Sequence, residues 1–378
     1  MKKTVKTFIN PLFFSILMMS IFCSTIITGC HHQLGNKHIS LKLKCNSSAT
    51  NENMSVAAGI IRNRLISYGV SEGDISITVE EKFIMMDVKN ADNPSRIITL
   101  VTRPGKLEFF ETIEFQKAWP FLEDANKKMA KILKSEDSST TKNDNISVNS
   151  LKDQKKKTTD ADTVSLISKV KSGSNAKDRN FEEYKKANPL FAYLKPNFEE
   201  KEGKNYFGKG PTVGYSLITD TAKVNSVLRR KEISFIFPSY YKFSWERTPF
   251  DDKKTNLRLI ALKTEDNGNA ALDGSCIVDA RQEKSSQGNI EISMTMNGEG
   301  ARIWKSLTGQ HIGECIAIIL DNYVYSFPTV QSEIPNGRSQ ITGNFSLEEA
   351  KDFANILRSH WMPVNVTVVD STITEQPK

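Results

Sequence analysis

Between Ser135 and Asn180 the chain has only nine apolar residues in 46 and no aromatic one, with Ser, Thr, Asn, Lys and Asp in their place. Such a stretch cannot bury enough surface to offset the entropy of ordering it, so a disordered insertion is expected over 135–180. Its lysine run, Lys155-Lys156-Lys157, reads as part of a solvated linker. Folded structure is therefore expected up to Leu133 and again from about Phe181. At 378 residues the chain has room for two to three domains of about 150 residues each. A charged fraction of 25% excludes a wholly disordered chain and a polytopic membrane protein.

The N-terminus has a separate logic. Lys2, Lys3 and Lys6 precede an apolar run from Leu12 to Cys23, which fits the core of an export signal and is too short for a membrane-spanning helix. The run ends in Ile27-Thr28-Gly29-Cys30, the pattern of a bacterial lipoprotein cleavage box. Residues 1–29 are accordingly read as a signal peptide and Cys30 as the lipid-attachment residue, with an anchor linker over 30–37. Several acyl chains, each contributing about 0.8 kcal/mol per buried methylene, anchor a protein stably without a spanning helix. Loss of the three leader lysines lowers the formal charge from +7 to +4, too little to argue for nucleic acid. Cys45, Cys276 and Cys315 are an odd set at wide spacing, not a disulfide framework; one pair could close, which the sequence does not choose, and packing as small hydrophobes is the favoured reading.

From Ile39 to Glu111 strand and helix signals alternate. Ile39, Leu41 and Leu43 have the period of a half-buried strand, and Ala57, Ile61, Leu65 and Tyr68 share a helix face that Gly69 stops. Strands at 75–79 and 83–88, a helix from Pro94 to Val101 and a strand from Lys106 to Glu111 complete a β-α-β-β-α-β order, the ferredoxin-like arrangement. Beyond the insertion, 290–296 alternates as a strand and Asn297 caps a helix over Ala301, Ile303, Trp304 and Leu307. Asp321-Asn322 joins Ile316–Leu320 to Tyr323–Phe327 as a hairpin. Ser346 and Glu349 make a capping box before a helix with Leu347, Ala350, Phe353, Ala354 and Leu357 inward, and Pro363 introduces a last strand over Val364–Val369.

The search for chemistry returns little. No phosphate-binding loop, zinc-protease motif, nucleophile elbow or Cys-x-x-Cys pair is present. Gly208 to Gly214 is glycine-rich, but Pro211 removes a donor that a phosphate cradle would use, and a bend entering a strand is the better reading. His31, His32 and His38 lack nearby Asp or Glu ligands, so no metal or cofactor site is read. His311 and His360 are isolated, and Asp251-Asp252 and Glu348-Glu349 are adjacent pairs whose members point apart. No catalytic residue is assigned, and the chain is expected not to be an enzyme.

A longer pattern emerges when the motifs are taken in order. Arg62-Asn63-Arg64, Gly69-Val70-Ser71-Glu72 and Pro104-Gly105-Lys106-Leu107-Glu108-Phe109 are followed by Gly210 to Tyr215, Asp220 to Val224 and Asp279-Ala280-Arg281. Met294 to Ala301, Ala317 to Asp321, Glu333 to Ser339 and Ile341 to Phe345 complete the series. Together they resemble the first periplasmic domain of SecD, or of fused SecD-SecF, subunits of the bacterial Sec export machinery, over most of residues 38 to 373.

The resemblance implies an α+β fold in which both ends of the domain build a ferredoxin-like base and an α+β head is inserted between them. The base would take 38–115 and 346–373, the head 256–345, and 116–255 would be a family-variable connection. It further implies a domain on the extracytoplasmic, periplasmic side of the cell envelope, which the reading of Cys30 would anchor through lipid. Membrane, unfolded preprotein and the Sec translocon are the expected partners, nucleic acid is not, and no proton-driven activity of its own is expected. Ser359-His360-Trp361-Met362 departs from the small residues the family favours there, which bears on the contact between base and head. An extended peptide can add to a sheet edge through backbone hydrogen bonds, and the strands at 290–296 and 323–327 are the candidates, internal strands being the equal alternative. The competing reading is an envelope structural lipoprotein that keeps the fold without Sec association.

Overall fold

The computed structural model describes residues 37–140, 177–343 and 345–375. The signal peptide, Cys30, His31, His32 and residues 141–176 lie outside the described residues. The strands are β1 (Lys37–Cys45), β2 (Ile75–Glu80), β3 (Phe83–Ala91), β4 (Leu107–Thr112), β5 (Lys195–Pro196), β6 (Phe198–Lys201), β7 (Lys204–Phe207), β8 (Thr212–Leu217), β9 (Tyr241–Trp245), β10 (Asn256–Lys263), β11 (Leu272–Asp273), β12 (Ile277–Lys284), β13 (Ile290–Met296), β14 (Ile316–Leu320), β15 (Tyr323–Ser326), β16 (Arg338–Thr342) and β17 (Val366–Glu375). The helices are α1 (Asn51–Tyr68), α2 (Pro94–Thr102), α3 (Phe115–Thr140), α4 (Lys177–Ala187), α5 (Thr221–Leu228), α6 (Lys231–Ser234), α7 (Gly298–Gln310) and α8 (Leu347–Arg358).

The base is a four-stranded antiparallel sheet in the order β17-β1-β3-β2. With β17 as the fourth strand this is the ferredoxin-like order 4-1-3-2. Ile39, Leu41 and Leu43 point from β1 onto Ala57, Ile61 and Leu65 of α1 and Ile97 and Val101 of α2. Thr50 caps α1 by accepting from the Asn53 N–H, and Gly69 ends it at φ 113°, a left-handed conformation that glycine adopts without a side-chain penalty.

The strand expected as the fourth of the base, 106–111, is instead β4 and lies inside a different sheet. Leu107, Glu108, Phe109 and Phe110 are all buried, a run that needs cover on both faces and therefore suits a central strand. β4 pairs with β14, β10 and β11 in an eight-stranded sheet whose main path is β15-β14-β4-β10-β8-β5, with β9 on β10. That sheet curls until its ends meet: Glu246, just past β9, bridges Val324 in β15, and the Arg247 N–H donates to the Val324 carbonyl at 2.8 Å. The inner face encloses Phe110, Ile260, Leu262, Ala317, Ile319 and Val324.

Two separate layers cover the outer face. On the β4–β14 side Phe109, Ile316 and Ile318 meet a small sheet, β12-β13-β16, and helices α7 and α8. On the β10–β8 side Leu259 and Ala261 meet Phe115, Ala118, Leu122, Ala125 and Met129, one stripe of α3. Residues 116–255 are thus more than a connection, since their β8 and β9 share a sheet with the head. The expected limits of the insertion also move inward. Ile132 and Leu133 continue the α3 stripe onto that core, and once nucleated a helix extends at little cost, so α3 runs to Thr140 and α4 begins at Lys177.

Helix α8, assigned by sequence to the base, packs with the head. Ala350, Phe353, Ala354 and Leu357 share a core with Ile292, Met294 and Trp304, so the passage back into the base falls after Arg358 rather than at Ser346. The capping box is present as read, with the Ser346 hydroxyl accepting from the Glu349 N–H and the Glu349 carboxylate from the Ser346 N–H. Cys45, Cys276 and Cys315 are buried free thiols, and burial with the Asp273 carboxylate pushes Cys276 up to about 11.

Candidate interaction surface

A peptide can extend a sheet only where a strand has an unpaired side. The strand at 290–296 has none, which corrects the first candidate: β13 is central, with Ser293 opposite Arg281 of β12 on one side and Gln340 of β16 on the other. The third strand carries little signal in the sequence because it is five residues long and directly follows the turn Pro335-Asn336-Gly337. Gly337 sits there at φ 59°, and an added Cβ would lie 2.6 Å from that of Ala301. The second candidate, 323–327, ends the sheet path, but its outer side is taken up where Glu246 and Arg247 close the curl. Tyr325 is turned inward, stacked on Phe345 and hydrogen-bonded to Arg103.

The head sheet has two end strands, β12 and β16, and among the described residues neither has a strand on its outer side; α8 packs along β12, which leaves β16 as the candidate edge. Arg338, Gln340 and Thr342 are exposed while Ile341 is buried, so the strand is pinned by its apolar face and presents polar side chains to solvent. Such an edge offers backbone donors and acceptors with little demand on the sequence of what pairs there.

Base and head meet at a buried arginine. Arg64 occupies the apolar stripe of α1 and is fully buried. Its Nε donates to the Ser359 hydroxyl, Nη1 to the carbonyls of Leu100 and Arg103, and Nη2 to the carbonyls of Pro104 and His360. Those acceptors lie on the two segments by which the chain passes between base and head, and the segments also bond each other, Met362 N–H to Pro104 carbonyl at 2.9 Å. Burial lowers the Arg64 pKa to about 10, with the Asp321 carboxylate opposing that fall and Arg103 adding to it. Asp321 ties in the head by accepting from the Gly105 and Lys106 N–H groups. Further out, Arg96 on α2 holds Asp352 and Glu348 on α8. In the sequence the signal that marks out Arg64, beyond its place in Arg62-Asn63-Arg64, is a charged residue on the same helix face as Ala57, Ile61 and Leu65.

The other titratable residues have local structural work. His311 follows α7 and contacts the carboxylates of Glu314 at 2.6 Å and Glu111 at 3.5 Å. His360 takes φ 62° and contributes its carbonyl to Arg64. The Asp251 carboxyl accepts from the Asn256 and Thr255 N–H groups, which lowers it to about 2. His38 lies 3.4 Å from Asp87. Gly210 takes φ 81° and gives its N–H to Glu114, a bend entering β8 as read. Among the described residues no group of three or more His, Cys, Asp or Glu is placed to hold a metal, and no helix is long and apolar enough to cross a membrane.

The SecDF P1 head subdomain family matches residues 248–364. The protein translocase subunit SecD of Rhodothermus marinus is 32% identical over 322 residues, 84% of this chain and 46% of that protein. The subunit SecDF of Thermus thermophilus is 38% identical over 109 residues, 29% of this chain and 15% of that one. The chain thus spans less than half the length of either relative. A solved structure of SecDF, a membrane component that enhances protein export, covers 88% of this chain and is itself covered to 98%, at 18% identity and a TM-score of 0.45, too loose a likeness to bear on the argument.

Proposed function

The chain carries a periplasmic domain of the SecD type, and from that premise we propose that it serves Sec-dependent export as an extracytoplasmic binding module, tethered through lipid on Cys30 and holding extended polypeptide along the edge of its head sheet. The observation that supports this reading is the open side of β16, a short polar-faced strand fixed to the head core through Ile341. A polypeptide leaving a translocon is unfolded and varied in sequence, and backbone pairing suits such a partner because it needs no particular side chains. The role is one of binding rather than catalysis.

A photo-crosslinking amino acid at Gln340 of the full chain, in cells exporting an arrested preprotein, tests the proposal. Adducts to the preprotein or translocon are expected from Gln340 and not from Ser293 on the central strand. Adducts only to mature envelope proteins would reject Sec association in favour of a structural lipoprotein. Loss of metabolic fatty-acid labelling in Cys30→Ala tests the tether separately.

A further inference from the structure

The segment from Leu228 to Phe243 lies in the layer on the β10–β8 side of the large sheet and carries five aromatic residues and four basic ones against a single acid, Glu232. Its most exposed ring is Phe235, at 77% of its surface, just after the one-turn helix α6, with Tyr240 at 42% nearby in sequence. Phe235 makes no ring pair among the described residues. The neighbouring aromatics pack on one another instead: Phe121 of α3 lies 5.3 Å from Tyr241, and Phe237 5.1 Å from Phe243. Arg230 is neutralised by Glu136 and Glu232, while Arg229 and Lys231 are exposed beside the aromatic tip. The Glu232 carboxyl is lowered by its own backbone N–H first, then by Arg230, with Lys128 of α3 adding to it.

The geometry points to this tip as a docking surface for an anionic lipid bilayer. Exposed aromatic rings beside an Arg and a Lys that have no ion pair among the described residues match the two layers of such an interface, rings entering the acyl boundary and cations meeting phosphate headgroups. A polypeptide ligand is disfavoured by the backbone. The N–H groups of Ile233, Ser234, Ile236 and Phe237 are consumed in successive turns, donating to Arg230, Arg230, Ile233 and Ser234, so no strand edge is offered. A bilayer needs neither an edge nor a pocket. The inference rests on the extracytoplasmic, membrane-side placement proposed above.

An environment-sensitive fluorescent amino acid at position 235 of the full chain tests it, with a second preparation carrying the probe at Val278, an exposed site on the head. Vesicles of phosphatidylcholine alone are compared with vesicles containing phosphatidylglycerol, both doped with doxyl lipid. A lipid tether alone would not insert position 235. Expected are a blue shift and several-fold quenching at 235 only, only with phosphatidylglycerol, and their loss in the Arg229→Ala, Lys231→Ala double variant, which alters exposed side chains. No quenching at 235, equal effects at 235 and 278, or no effect of the double variant would overturn the inference. So would a blue shift produced without vesicles by reduced, unfolded α-lactalbumin or by raising the protein concentration, which would assign the tip to polypeptide or to a second copy. Crosslinking at Gln340 reads a different face of the question, so either proposal can fail alone.

Discussion

Lys37 and Glu375 face each other across the first rung of the β1–β17 ladder. The described chain therefore starts and finishes at one pole of the base, with the head and its added layer formed from the chain between them. A tether before Lys37 would hold this pole to a surface. Directly opposed residues in an antiparallel pair have Cα atoms about 4.5–5.5 Å apart, inside the range a disulfide can bridge. The double variant Lys37→Cys, Glu375→Cys is expected to close a bridge under mild oxidation, seen as a mobility shift on non-reducing gels. Its failure to form would mean that the two ends splay apart.

Arg64 should dominate the stability of the joint between base and head. Arg64→Met takes a shared donor from five oxygen acceptors at the joint, of which the Pro104 carbonyl keeps its bond from the Met362 N–H, and a cost of about 3–5 kcal/mol is expected, read as a lower urea midpoint. Arg64→Lys should recover only part of this, since three ammonium donors cannot serve five acceptors held in a planar fork.

Gly105 offers an independent check on the same joint. It sits at φ 81°, and an added Cβ would lie 2.6 Å from both Arg64 Nη2 and Ile356 Cγ2. Gly105→Ala is expected to cost about 1–3 kcal/mol from strain and overpacking. Because Arg64→Met removes one of the two clashes, the double variant should lose less than the sum of the singles, and strict additivity would place the strain elsewhere.

In alkali the tyrosines should separate. Burial and the hydrogen bond to Asp92 push Tyr68 up to about 12, and burial with the neighbouring Tyr240 does the same for Tyr241. A phenol that keeps its proton longer when folded contributes stability that is complete below about 10 and lost as pH rises toward 12. Ultraviolet titration of the folded chain should show a late fraction of tyrosinate, and Tyr68→Phe should flatten part of the fall in thermal midpoint between those values.

Much of this architecture was readable where local chemistry and global fold agree. Asp321 and Asn322 both take positive φ, 53° and 69°, the backbone a two-residue hairpin demands and one that Asp and Asn tolerate. Ser346 and Glu349 fixed the start of α8 for the same reason. What escaped depended on partners far away in sequence. Leu107 to Phe110 read as a strand, but nothing local said whether it would border β1 or sit between β14 and β10. The third strand of the head sheet, too short to show a period, hid the open edge, and nothing around Arg62-Asn63-Arg64 pointed to the distant carbonyls that Arg64 holds.

The two crossings between base and head run side by side, with Pro104 accepting from Met362 and Arg64 gripping both. A cassette seated through two adjacent pins can be lengthened, trimmed or exchanged without redesigning its socket. The extra layer of α3 to α6, absent from any requirement of the base sheet, is the kind of growth such a socket permits, and the same seam is where a graft of another head would be cut.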